Sequence, residues 1–273
     1  MFLMNVKLGL VGIAIVLALS GCNLGGGGAA IFAANGLIAS RTGDVNSNTV
    51  TVSPTSQTTF SAVTNSDESI DASWNNGPLS GQTRKFSKIG PGQYGFSNDS
   101  EEGVLAISQA TTYTAIGVGA VRTKSNDVVA VGLFHSGVAP TAIPASGTLQ
   151  YGMTNGLIGG TDVPGSVGVV GDVSIAANFS NGQVTGTFSN VKSNQTSGGP
   201  TSMQDIGFTG TMATGKALYS SNAMTYGGTA VATGQLVGGF YGPGAVDTAG
   251  VFDMTAASSG PRIIGAYGAT SAP

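Results

Sequence analysis

Asp172-Val173-Ser174-Ile175-Ala176-Ala177-Asn178-Phe179, followed by Ser180-Asn181-Gly182-Gln183 and then Val184-Thr185-Gly186-Thr187-Phe188, is the stretch that decides the fold. Val173, Ile175, Ala177 and Phe179 recur with period two, which puts them on one face of a strand and leaves the polar residues on the other. Asn181-Gly182 is the dipeptide favoured in a type I′ turn, whose two central residues both need positive φ. Val184 and Phe188 then resume the apolar face. The segment is read as a β-hairpin with its apolar side against a core.

The same pattern spreads outward in both directions. Further strands are predicted over 103–108, 112–121, 128–135, 147–153, 206–212, 234–241, 250–254 and 262–266. Glycine numbers 45 and recurs inside these strands, as at Gly186 and Gly238-Gly239, which suits bends in a strongly curved sheet. No long amphipathic helix follows the N-terminal segment. Many short strands joined by Gly-rich turns predict an all-β protein, barrel or sandwich. Pro140 and Pro144 mark a connector, so a boundary is placed near residue 145. A C-terminal antiparallel β-barrel of about eight strands is expected over 145–273, preceded by a smaller, handle-like β-rich region over 42–144. Thr42 to Thr59, rich in Ser, Thr and Asn, reads as loop or irregular strand.

The N-terminus carries a different signal. Lys7 precedes an uncharged apolar run from Leu8 to Leu19, about 12 residues, which is signal-peptide length and short of the ~20 needed to span a bilayer as a helix. Leu19, Ser20 and Gly21 before Cys22 look like a bacterial lipobox, predicting removal of residues 1–21 and diacylglyceryl transfer to the Cys22 thiol. Cys22 is the only cysteine, so no intramolecular disulfide and no thiolate cluster can form. Acyl chains contribute about 0.8 kcal/mol per buried methylene and hold a protein at a membrane without a transmembrane helix. Residues 22–41, opening with Asn23 and the run Gly25 to Gly28, are expected to be a lipidated flexible tether. Asn23 after the cysteine, in place of aspartate, fits cargo sent to the outer membrane.

Composition narrows the function. Charged residues are 8% of the chain, against about 25% in ordinary proteins, and the ten basic residues are spread along it, with only Arg84 and Lys85 adjacent. No cluster exists to displace counterions, which argues against a nucleic-acid partner. Asp67-Glu68 and Glu101-Glu102 read as solvated turns. No Gly-x-Ser-x-Gly elbow and no complete Walker loop occurs, so no catalytic or metal-binding residues are assigned and the chain is not expected to be an enzyme. Trp74 and Tyr94 are read as core aromatics, with an exposed hot spot as the alternative.

Three segments carry a family resemblance. Gly239, Phe240, Tyr241, Gly242 and Pro243, followed by Gly250, Val251 and Phe252, resemble a late hairpin in the β-barrel of transferrin-binding protein B. Ile143-Pro144-Ala145-Ser146-Gly147-Thr148-Leu149-Gln150-Tyr151-Gly152 is similar to that family's barrel-opening segment. Ala177-Asn178-Phe179-Ser180, continuing through Val184-Thr185-Gly186-Thr187, is similar to its Asp-Phe-Ser hairpin, with Asn178 in place of the aspartate. The first motif is read as specifying fold, with Phe240 and Phe252 inside the barrel. The resemblance implies a Gram-negative surface lipoprotein, carried across the outer membrane by a surface-assembly translocon. Relatives capture transferrin, lactoferrin, haemoglobin or complement factor H, and some small ones bind haem. With one barrel expected in place of two lobes, transferrin-binding contacts are not carried over. His135, the only histidine, is the one residue that could ligate haem. The functional expectation is a non-catalytic module binding an extracellular protein, or an iron or haem source. The alternative is a structural or periplasm-facing envelope lipoprotein without a soluble ligand.

Overall fold

A computed structural model of the protein describes residues 31–42, 51–52, 56–77, 79–125, 128–163, 166–195, 197–212, 215–228, 230–257 and 260–271. The described chain is all-β. Its first sheet contains β1 (Ile31–Thr42), β2 (Thr51–Val52), β3 (Ser56–Thr64), β4 (Ile70–Trp74), β5 (Thr83–Gly90), β6 (Gln93–Ser97), β7 (Glu101–Gln109), β8 (Thr114–Thr123) and β9 (Val128–Gly137). Consecutive strands pair antiparallel from β3 to β9, and β1 bonds both β3 and β9, closing the ring; β2 hangs on the end of β1. The second sheet contains β10 (Thr148–Thr161), β11 (Ser166–Asn178), β12 (Gln183–Gln195), β13 (Thr201–Ser202), β14 (Ile206–Met212), β15 (Leu218–Tyr226), β16 (Ala230–Tyr241), β17 (Asp247–Ala256) and β18 (Arg262–Ser271). Here β10 bonds β11 and β18, β11 bonds β12, and β13 is a short appendage, so this sheet also closes. Closure leaves no long strand edge to recruit another chain. The C-terminal barrel was expected; the smaller N-terminal region proves to be a second closed barrel.

The decisive hairpin is β11–β12. Val173, Ile175, Ala177, Phe179, Val184 and Phe188 are buried in the second core, while Ser174, Ser180 and Thr187 are exposed. Its turn differs from the sequence expectation. Asn178 pairs with Gln183, so the loop has four residues, and only Gly182 has positive φ, at 73°. Asn178 explains the longer loop: its side-chain carbonyl accepts hydrogen bonds from the backbone of Ser180 (2.9 Å) and Asn181 (3.3 Å), holding the turn open.

Two further expectations need correction. The tether placed over 22–41 ends sooner, because Ile31–Thr42 is β1, the strand that closes the first barrel. Leu37 faces the second barrel and Ile38 the first core. A strand buried on both faces loses the apolar–polar alternation that betrays strands in sequence. Glu101-Glu102 is not a solvated turn but the start of β7. Arg84 reaches it from β5, donating to Glu101 through Nε and Nη2 at 2.9 Å each, and Arg122 donates to Glu102 at 3.1 Å. The Arg84 guanidinium holds the Glu101 carboxyl below the usual carboxylate range.

Interior glycines prove to be spaces for rings. Gly119 and Gly132 are cross-strand partners on β8 and β9, and a Cβ on either would lie 2.6 or 2.5 Å from the Trp74 indole. In the second barrel the partners Gly238 and Gly250 underlie the Tyr219 and Tyr267 hydroxyls, which share a 2.7 Å hydrogen bond. Trp74 and Tyr94 are both core residues.

Candidate functional site

Two surfaces stand out, one at the tip of the first barrel and one between the barrels. The tip is built from the β3–β4 turn and the β5–β6 hairpin. In the turn, Asp67 accepts from the Ser69 backbone at 3.1 Å, and Glu68 takes a φ of 60°. Lys85 and Lys88 project from β5 and meet these acids: Lys85 with Asp67 at 2.8 Å, Lys88 with Glu68 at 2.9 Å. The Lys85 ammonium and the Ser69 donors hold the Asp67 carboxyl well below its ordinary value, and both lysines are held above theirs by their acids. Such exposed pairs add little stability. Between them the Gly90-Pro91-Gly92 turn lifts Ile89 into solvent, 66% exposed, above a groove of about 760 Å³. An exposed apolar side chain sharing a groove with Asp67, Glu68 and Lys88 has the composition of a binding hot spot with a polar rim. The sequence reading missed Ile89; its signal is an isoleucine set directly before a Gly-Pro-Gly turn.

The second surface forms where the barrels meet. Leu37, Ile116 and Leu133 of the first pack against Tyr241, Ala249, Val251 and Ala266 of the second. Asp247 is buried and accepts from the Thr111 hydroxyl and from the Tyr113 backbone N–H, the latter at 2.9 Å. Gly242 donates to the Val138 carbonyl at 2.9 Å.

The residues singled out in sequence divide between these places. Leu19, Ser20, Gly21 and Cys22 lie outside the described residues. Phe240 and Phe252 are in the second core, with Phe240 against Phe179 at 5.2 Å and Phe252 stacked on Phe188 at 5.0 Å. Tyr241 points the other way, into the contact between barrels. Gly242 has a φ of 74°, and a Cβ there would sit 2.5 Å from the Tyr113 ring of the first barrel. The Gly-Phe-Tyr-Gly-Pro segment therefore both shapes its own barrel and seats the other one.

His135 is fully buried on the outer face of β9. Its Nδ1 shares a 2.8 Å hydrogen bond with the Tyr241 hydroxyl, and Nε2 has no hydrogen-bond partner among the described residues. Burial pushes the imidazole down to about 3, so the ring is neutral. A buried polar atom left unpaired costs about 1–3 kcal/mol. The surroundings do not suit haem. Most described residues lining the cleft beside His135 carry amides or hydroxyls, and none is a lysine or arginine that could pair with the propionates of a porphyrin. Among the described residues no cluster of three or more His, Cys, Asp or Glu could hold a metal ion, and no helix is long and apolar enough to cross a membrane.

Comparison with known proteins places the second barrel. Residues 143–271 match the family described as the C-lobe and N-lobe β-barrels of Tf-binding protein B. No curated protein matches the chain. Among solved structures, intact Ap-TbpB with N and C lobes is 11% identical over 89% of this chain and 77% of its own, with a TM-score of 0.45. The isotype 1 transferrin-binding protein B from serogroup B Neisseria meningitidis is 12% identical over 79% of this chain, at a TM-score of 0.43, and this chain spans only 50% of it. A structure described as a surface lipoprotein is 13% identical over 87% of this chain and 98% of its own, at 0.43. These likenesses are of fold alone. From Ile143 to Ser271, the second barrel is similar to the C-lobe and N-lobe β-barrels of Tf-binding protein B.

Proposed function

We propose that this protein is a non-catalytic, lipid-anchored module of the outer-membrane surface that captures an extracellular protein through the tip of its first barrel. The lipobox at Leu19 to Cys22 supports the anchor, and the family match of the second barrel supports the role of a surface lipoprotein exported by a translocon. The observation that carries the binding reading is Ile89, exposed at the hairpin tip in a groove shared with Asp67, Glu68 and Lys88. An isoleucine held in water by a rigid turn is poised to be covered by a partner.

The test has two parts. An epitope-tagged protein is treated with protease on intact and on permeabilised cells; digestion on intact cells is the expected result. Cells bearing the wild type or Ile89→Asp are then incubated with labelled serum proteins, and retention is expected to fall at least about tenfold in the variant, the loss typical of a hot-spot anchor. Protection on intact cells would turn the body toward the periplasm, and the envelope-structural reading would replace this one.

A further inference from the structure

We propose that the cleft between the two barrels is a binding site for a neutral, hydroxyl-rich ligand of the saccharide class. The cleft encloses about 530 Å³, within the range of roughly 300–1,000 Å³ found for small-molecule sites. Register explains how its walls arise. On the first barrel, Thr59, Asn35 and His135 are direct cross-strand neighbours on β3, β1 and β9, forming a polar row on the outer face. On the second barrel, Thr211, Ser220 and Val237 are neighbours on β14, β15 and β16. The two rows line the same cleft, with Gln57 and Asn76 adding amides on the first barrel's side.

The lining residues include no aspartate, glutamate, lysine or arginine, so the field in the cleft favours an uncharged guest. Short hydroxyls and amides offer alternating donors and acceptors, matching the hydroxyl and acetamido groups of a sugar. His135 is among the residues that line the cleft, and its buried Nε2 has no hydrogen-bond partner among the described residues, so a small shift of the ring on binding would let a ligand hydroxyl beside Asn35 supply one. Leu218, 48% exposed at the cleft, gives an apolar seat for the C–H face of a pyranose ring. This site is separate from the Ile89 tip.

The experiment uses the full lipidated chain in detergent micelles. N-acetyllactosamine, a glycan of animal type, and chitotriose, an amino sugar of envelope type, are titrated separately by calorimetry, with sialyllactose as a charged control. Saturable binding of one neutral sugar is expected, and which one binds identifies the source. Ser220→Phe, which fills the cleft from an exposed strand position, is expected to weaken it at least tenfold, while Ile89→Asp leaves it unchanged. Thr211→Leu, on the neighbouring strand, gives a second reading if Ser220→Phe fails to fold. Three results would each overturn the site: binding of neither neutral sugar, binding that no cleft variant alters, or preference for sialyllactose. A haemin Soret shift abolished by His135→Ala would overturn the ligand class.

Discussion

His135 shows how position gives a side chain its properties. In solution an imidazole titrates near 6.5; buried between the barrels, this one is held down to about 3. Between those values the unfolded chain binds a proton that the folded chain refuses. Stability therefore rises with pH across that window and is lost as pH falls through it, with a slope from this residue approaching about 1.4 kcal/mol per pH unit. Carboxylates titrate there too, so the informative quantity is a difference. Urea unfolding is expected to show the wild type losing stability relative to His135→Gln, neutral at every pH, on acidification from pH 6.5. Parallel curves would mean that the imidazole charges while folded. The sequence named His135 as the sole histidine; its neutrality comes from burial, with Tyr241 of the second barrel, 106 residues away, hydrogen-bonded to it.

Strands explain the glycine content. Trp74 over the Gly119–Gly132 pair, and Tyr219 with Tyr267 over Gly238–Gly250, fill space that side chains on those glycines would occupy. Gly132→Val is expected to cost about 3 kcal/mol, toward the upper end of overpacking penalties, whereas Gly199→Ala, with nothing within 4 Å, should be close to neutral. Denaturant midpoints measure both, and equal effects would refute the ring-space reading. Period two made the β11–β12 hairpin legible, and 206–212 matches β14 residue for residue. The strands that escaped include β1, β3 to β6 and β15. β1 is apolar on both faces, and β15, with its irregular register against β16, breaks the alternation.

For the molecule as a whole, the question is whether two barrels act as one body. Their apolar contact is reinforced by one buried carboxylate, Asp247, serving Thr111 and the Tyr113 N–H. Asp247→Ala removes both bonds and leaves the Tyr113 N–H unpaired, a cost of about 1–3 kcal/mol placed on the interface. Scanning calorimetry of the variant is expected to show two transitions where the wild type shows one. A single transition at an unchanged midpoint would mean that the apolar contact alone couples the barrels.

What the sequence by itself determined was what local chemistry and period can specify. Alternation marks many of the strands, Pro140 and Pro144 mark the connector, and the residues around Cys22 carry the expectation of a lipid anchor. The motif from Gly239 to Phe252 pointed to the family of the second barrel. Only the tertiary structure decided that the first region closes, because closure depends on β1 meeting β9 across about 100 residues of chain. It also decided that Tyr241 leaves its own core for the neighbouring barrel, and that Thr59, Asn35 and His135 form one row. Ile89 became notable only once its neighbours were known to be paired charges. Each of these depends on which distant strand lies alongside, and a pairing between distant strands leaves no period in a single sequence.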